Sequence, residues 1–279
     1  MTIAPAFNDR VERKFQIGID EKDVAGLWRD LSAILKPYGL EAVQEITSVG
    51  SVYFDNKDCD LLRFSLFGHL MLFRTRAYEL YGRVPEPISQ FWIEVKTAQG
   101  MRRKKRRFPL GKDALFEFLD GKELSHPAND RDIQAPDSEV SESYRASQET
   151  VLTMGLRPIL LVACKRVAFQ GEKARLSIDW DVEYYSAANS IYDFDSWKYL
   201  STPSVGKANK VILEMKCLQD EGIPEWFSKI QQRYPIWQRE YLKPIEGMGF
   251  LFRGPLKHHK EAHYFLPLIN AYMENSLLG

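Results

Sequence analysis

The sequence predicts an α+β fold in which helices flank one antiparallel sheet. About seven or eight segments alternate in polarity or are rich in β-branched and aromatic residues, as strands are. Helix-spaced segments are inserted between them, and no linker is long enough to divide the 279 residues, so residues 1–279 are expected to form one domain. A sheet of that many strands can lie open or close into a barrel.

RVERKFQIGI (10–19) alternates as a strand, and Asp20 is placed to cap a helix from Glu21 to Lys36 that Pro37 and Gly39 stop. SVGSVYFD (48–55) reads as a strand, DNKDCDLLRFS as a loop or short helix, and HLMLFRTRAYE (69–79) as a strand. QFWIEVKTA (90–98) and MRRKKRRFPL (101–110) form a hairpin across Gln99-Gly100. DALFEFLD (113–120) is a short helix, residues 121–138 a polar, proline-containing loop, and residues 138–156 a helix with one apolar face. Strands return at 158–170, 174–185 and 210–217. IPEWFSKIQQRY and the segment to Leu242 are expected to be helical, and a helix near His263–Leu277 closes the chain.

Composition narrows the function. The chain is 44% hydrophobic and 27% charged, the balance of a soluble globular protein. Lys and Arg together number 38 and so do Asp and Glu, which counts against a general nucleic-acid binder. Cys59, Cys164 and Cys217 have neither disulfide nor metal spacing and read as buried small hydrophobes in a reducing compartment. No apolar run approaches the roughly 18–20 residues of a membrane span, and MTIAPAFNDR lacks a signal peptide's apolar core. A cytoplasmic protein is expected, with no inserted membrane segment.

The informative charges lie inside strands. Residues i and i+2 of a strand point to one face, roughly 6–7 Å apart. That parity groups Arg10, Glu12 and Lys14; Arg74 and Arg76; Glu94 and Lys96; Arg103, Lys105 and Arg107; and Glu214 and Lys216. Glu-x-Lys recurs in three of these strands. A solvated sheet face with cross-strand ion pairs is the ordinary explanation. Against it, Lys14, Arg74, Arg76, Lys96, Arg103, Lys105, Arg107, Arg166, Arg175, Lys216 and Lys243 outnumber Glu12, Glu94, Asp179 and Glu214. So lopsided a face repels itself unless a polyanion fills it, and carboxylates among the cations could hold a divalent metal on that ligand.

The ordered series VERKF (11–15), YFD (53–55), FRTR (73–76), IEVKT (93–97), KRVAF (165–169), RLSID (175–179) and LEMK (213–216) resembles the VTC domain, the polyphosphate-polymerase branch of the triphosphate tunnel metalloenzymes. The resemblance implies a closed antiparallel β-barrel tunnel of about eight strands, with helices outside and at the C-terminus. It implies ATP and inorganic polyphosphate or pyrophosphate as ligands, with Mn²⁺ or Mg²⁺ as cofactor. On that basis the run RRKKRR is a tunnel strand rather than a nucleic-acid tail. Arg166, Arg175, Arg76 and Lys96 would be catalytic; Lys14, Arg74, Arg103, Lys105, Arg107, Lys216 and Lys243 would bind phosphate; and Glu214, Glu12 and Glu94 would hold metal. Lys243 matches the family's C-terminal lysine motif loosely, because Leu242 and Pro244 replace its neighbours, and Cys164 stands where the family has tyrosine.

The hydrolase and cyclase branch carries Glu-x-Glu-x-Lys on its first strand, whereas Arg10 stands at the first Glu position here. This favours the polymerase branch over a triphosphatase or short-chain polyphosphatase. Glu214, which a pure anion binder does not need, weighs against a non-catalytic polyphosphate-binding module. Eukaryotic relatives join this domain to a phosphate-sensing module and a membrane domain; this chain resembles a stand-alone, bacterial-type version that could still use a membrane-protein partner. His258, His259 and His263 read as solvated surface. Trp92, Tyr53 and Phe73 could stack on adenine or pack in the core.

Overall fold

A computed structural model describes residues 10–43, 46–80, 90–99, 102–123, 137–187, 203–218, 222–239 and 241–278. Among these residues eleven strands form one antiparallel sheet. They are β1 (Arg10–Ile17), β2 (Glu41–Ala42), β3 (Thr47–Asp55), β4 (Met71–Leu80), β5 (Gln90–Gln99), β6 (Arg102–Gly111), β7 (Arg157–Gln170), β8 (Ala174–Ser186), β9 (Gly206–Ala208), β10 (Val211–Leu218) and β11 (Ile236–Gln238). Their order is β11-β1-β10-β8-β7-β3-β4-β5-β6, with β2 beside β7 and β9 beside β8. The predicted Gln99-Gly100 turn lies outside the described residues.

The sheet does not close into the expected barrel. Among the described residues β6 pairs only with β5, and no ladder joins it to β1 or β11. A margin built from consecutive cations resists accepting another strand. The sheet nevertheless curls: on the β5–β6 side Lys96 interacts electrostatically with Glu12 on β1 and Lys216 on β10, and Lys105 with Lys216. The result is an open trough, with a convex and a concave face.

Helices cover the convex face in two groups. Helices α1 (Val24–Leu35) and α5 (Glu225–Arg233) pack on β1, β10, β8 and β7; Leu27, Leu31 and Leu35 recur at helical spacing and are buried against Phe15, Leu176 and Leu213. Asp20 accepts from the Lys22 backbone N–H at 3.2 Å, and Gly39 turns left-handed at φ 69° to end the following 3₁₀ turn, as expected. Helices α3 (Lys112–Leu119) and α4 (Asp137–Met154) cover β4–β6, where Phe118 and Tyr144 meet Phe73 and Phe108.

The third group enters the concave side. Helices α2 (Asp60–Leu66), α6 (Lys243–Arg253) and α7 (Ala262–Leu278) bury Leu62, Ile245, Met248, Phe265 and Ile269 against Val49, Leu160, Val162 and Tyr184. Close approach depends on Gly247, where an added Cβ would fall 2.5 Å from Leu160 and 2.7 Å from Tyr184. Helix α6 packs on β7 and β8 and α2 on β3 and β4, with α7 against both helices. The predicted helix running to Leu242 is not formed: α5 ends at Arg233, Pro235 follows, and Ile236–Gln238 pair with β1 as strand β11. Helix α6, which has two internal glycines and a proline in its first turn, was not predicted.

Candidate functional site

Strand register gathers the charges onto the concave face. Glu12 lies opposite Lys216, Lys14 opposite Glu214, and Lys216 opposite Arg175. Arg166 lies opposite Asp179 and Thr47, Arg74 opposite Tyr53 and Glu94, and Lys96 opposite Lys105. The alternate residues, among them Phe73, Ile93 and Phe108, point into the convex core. Phe73 is therefore core, whereas Tyr53 and Trp92 stand on the charged side.

Glu94 is the hub of one wall and is 1% exposed. Arg74 donates to Glu94 Oε2 from Nε at 2.8 Å and from Nη2 at 2.5 Å. Arg76 Nη1 is 3.8 Å from the same oxygen; Lys105 and Arg107 each lie 3.4 Å from Oε1. Each arginine has a second contact. Arg74 donates to the Tyr53 hydroxyl at 2.8 Å, Arg76 donates to Ser51 Oγ at 3.0 Å, and Arg107 sits 4.0 Å above the Trp92 ring. Burial opposes ionisation of Glu94, but Arg74, Arg76 and Lys105 outweigh it and hold its carboxyl well below the usual range.

Lys96 is different. Among the described residues it makes no direct hydrogen bond or ion pair, and burial followed by Arg74 lowers its ammonium to about 7. Lys96 thus faces the trough with Arg74 and Lys216 among its electrostatic neighbours and Glu12 and Glu94 beyond contact distance.

The opposite wall carries more carboxylates. Glu214 and Glu12 share Lys216, at 2.6 and 3.5 Å, and Glu12 also lies 3.6 Å from Lys14. Burial opposes ionisation of both carboxyls, and Glu214 opposes it further at Glu12, but Lys216, Lys14 and Lys96 together, with Arg166 at Glu214, hold both below the usual range. Arg166 donates to both Asp179 oxygens, at 2.5 and 2.6 Å, and Lys243 reaches Asp179 Oδ2 at 2.6 Å and Cys164 Sγ at 3.1 Å. Lys14 Nζ donates to the Tyr241 carbonyl at 2.9 Å. Beside it, Glu246 accepts from Tyr184 at 2.5 Å and Tyr241 at 2.7 Å and pairs with Lys210 at 2.8 Å.

Register thus places Arg166, Arg175, Arg76, Lys96, Lys14, Arg74, Lys105, Arg107, Lys216, Glu214, Glu12 and Glu94 on the concave face, and Lys243 joins them from the first turn of α6. The Arg103 side chain lies outside the described residues. The structure sets Glu94 apart from the other two expected metal ligands: it is buried, Arg74 is hydrogen-bonded to its Oε2 and four cations crowd its two oxygens, whereas Glu12 meets its two lysines only at 3.5 and 3.6 Å. Glu94 also lies on a different wall from Glu12 and Glu214, and no group of three or more ligating side chains occurs among the described residues. Asp179 was counted among the anions but given no role, although it organises Arg166 and Lys243. Ser51 could have been found by parity with Tyr53. Tyr241 and Glu246 could not, because they depend on α6.

Cys59, Cys164 and Cys217 are buried and none is in a disulfide. His258 and His263 are exposed. His259, expected on the solvated surface, is half-buried, and its ring centroid lies 6.0 Å from that of Phe252. No helix among the described residues is long and apolar enough to cross a membrane.

With this geometry in hand, the family can be stated. The VTC domain model matches residues 9–243, and the chain belongs to that family. No curated protein matches it. Similar solved structures include a candidate adenylyl cyclase from Hippeastrum described as having a dominant triphosphatase activity, 12% identical over 88% of this chain and 96% of that one, with a TM-score of 0.46. Others are a candidate adenylate cyclase from Vibrio parahaemolyticus (10% identity, 81% and 84% coverage, TM-score 0.38) and the Mimivirus capping-enzyme triphosphatase (13%, 79% and 87%, TM-score 0.37). With TM-scores below 0.5, none of these likenesses bears on activity.

Proposed function

We propose that the trough binds a phosphate chain and transfers the γ-phosphoryl group of ATP onto inorganic polyphosphate, making the protein an ATP-dependent polyphosphate polymerase. The observation that carries this reading is Lys96, a cation facing the trough without a contacting counter-ion among the described residues, flanked by Arg74 and Lys216. Membership of the VTC domain family supports the same chemistry.

Phosphoryl transfer needs positioning and charge neutralisation more than covalent help. Lys14, Arg74, Arg76, Lys96, Lys105 and Arg107 bind the phosphates. Arg166 and Arg175 neutralise charge on the transferred group, with Asp179 fixing the plane of Arg166 through two hydrogen bonds. An oxygen of the acceptor phosphate bonds to the γ-phosphorus in line, the bond to the β–γ bridging oxygen breaks, and ADP leaves. The acceptor is already anionic, so no base is required.

Glu12 and Glu214 suit a hard divalent cation, because one or two carboxylates plus phosphate oxygens are what Mg²⁺ takes in nucleotide sites. Bound there, Mn²⁺ or Mg²⁺ would neutralise phosphate charge.

The test is to incubate purified protein with ATP and Mn²⁺, then Mg²⁺. Products are run on a gel stained for polyphosphate, with ADP and free phosphate assayed in parallel. A ladder with stoichiometric ADP is expected. Free phosphate without a ladder would make the protein a triphosphatase, in which water takes the acceptor's place. Polyphosphate binding without turnover would make it a binding module.

A further inference from the structure

We propose that Glu94 is a positioning residue: it holds four cations in a fixed array across the phosphate wall and thereby trades affinity for phosphate against turnover. This rests on reading the trough as a phosphate site.

The geometry divides the Glu94 carboxylate between two strands. Oε2 takes Arg74 and Arg76 from β4, and Oε1 takes Lys105 and Arg107 from β6, on either side of the β5 backbone that carries Glu94. Without it, four cations would face one another across three adjacent strands, and like charges so placed separate. With it, each guanidinium is held on two sides, by Glu94 and by Tyr53, Ser51 or the Trp92 ring. Side chains held in this way need little reordering when charge develops on a phosphoryl group.

The same carboxylate repels the ligand. A phosphate chain reaching Arg74 or Arg76 comes close to a buried negative charge that cannot turn away into water. Removing that charge while keeping its shape therefore strengthens binding and weakens catalysis, two effects of opposite sign. A metal ligand would behave otherwise, and so would a residue that only stabilises the fold.

Glu94→Gln is the isosteric variant, and tripolyphosphate in the presence of a chelator is the probe. Its dissociation constant, measured calorimetrically, is expected to fall by about tenfold, while kcat with ATP and Mn²⁺ falls by about tenfold or more. Glu94→Asp, which keeps the charge but shortens the reach, is expected to restore wild-type affinity without restoring kcat. Because Glu94→Gln removes the negative charge that all four cations share, Glu94→Gln with Lys105→Gln provides a charge-compensated second variant. Its affinity should return toward wild type while kcat stays low.

Weaker tripolyphosphate binding by Glu94→Gln, or unchanged affinity with a raised Mn²⁺ requirement, would overturn the proposal. So would tighter binding with undiminished kcat. If the wild-type protein binds no tripolyphosphate, the reading of the trough fails first. If it binds but does not turn over ATP, a tighter Glu94→Gln complex would uphold the affinity half of the proposal while the polymerase reading falls.

Discussion

On the β4–β6 wall of the trough, Arg74, Arg76, Lys105 and Arg107 contact one carboxylate, Glu94, with Lys96 near it; on the β1–β10–β8–β7 wall, Lys14, Lys216, Arg166, Arg175 and Lys243 stand with Glu12, Glu214 and Asp179. Among the described residues the first wall brings five cations to one carboxylate and the second brings five to three. Buried charge needs a partner. On the proposed reading the first wall favours an anion, and the second offers more carboxylates to a cation. A phosphate chain carrying a divalent metal satisfies both walls when its phosphates lie along β4–β6 and its metal faces β1 and β10.

The sharpest way to break this division is to remove the metal wall's central carboxylate. Glu214→Ala should lower metal-dependent turnover on the order of a hundredfold or more, while tripolyphosphate affinity measured with a chelator stays within a few-fold. Equal losses in both quantities would erase the distinction between the walls. On the phosphate wall, Arg76→Lys keeps the charge but loses the planar fork that reaches Ser51 and Glu94 together. A loss of about tenfold in kcat/KM is expected, and full activity would show that Arg76 does not touch the reacting phosphates.

Lys96 sharpens the comparison through pH. In the free protein its pKa is about 7 against an ordinary 10.5, so it is largely neutral above pH 7. A bound phosphate chain favours the charged form. Binding therefore takes up a proton, and affinity declines as pH rises from 7 toward 10. Lys96→Arg stays charged throughout and should flatten that decline, as calorimetry in buffers of different ionisation enthalpy would show; an unchanged slope would assign the titration elsewhere. The smallest effect belongs to the margin. Lys105 is 44% exposed, so Lys105→Ala should weaken binding by less than about threefold and mostly at low salt.

Much of this was legible in the sequence, for a local reason. Strand parity depends only on neighbours two residues apart, so VERKF, FRTR, IEVK and LEMK placed their charges on one face before any tertiary contact was known. Parity stops at irregularities. Asp181 has φ 52°, and the β7–β8 register shifts near Ala163 and Lys165, which separates Asp179 from Val182 by three positions although both face the concave side. Pairing partners were not legible, because which cation meets Glu94 depends on register across three strands. Closure was not legible either. The charged margin of β6 reads as a tunnel strand but lies at an edge. Helix α6 was hidden by Pro244, Gly247 and Gly249, residues that weaken helix propensity; Gly247 is required there by the close approach of Leu160 and Tyr184.

A structure determined with tripolyphosphate and Mn²⁺ tests the division of the trough most directly, because the anomalous signal of the metal locates it independently of the phosphates. The phosphates are expected against Lys96, Arg74 and Arg76, with the Mn²⁺ signal between the chain and the Glu12–Glu214 pair. A Mn²⁺ signal at Glu94, or phosphates bound along the outer face of β6 with the trough empty, would contradict it.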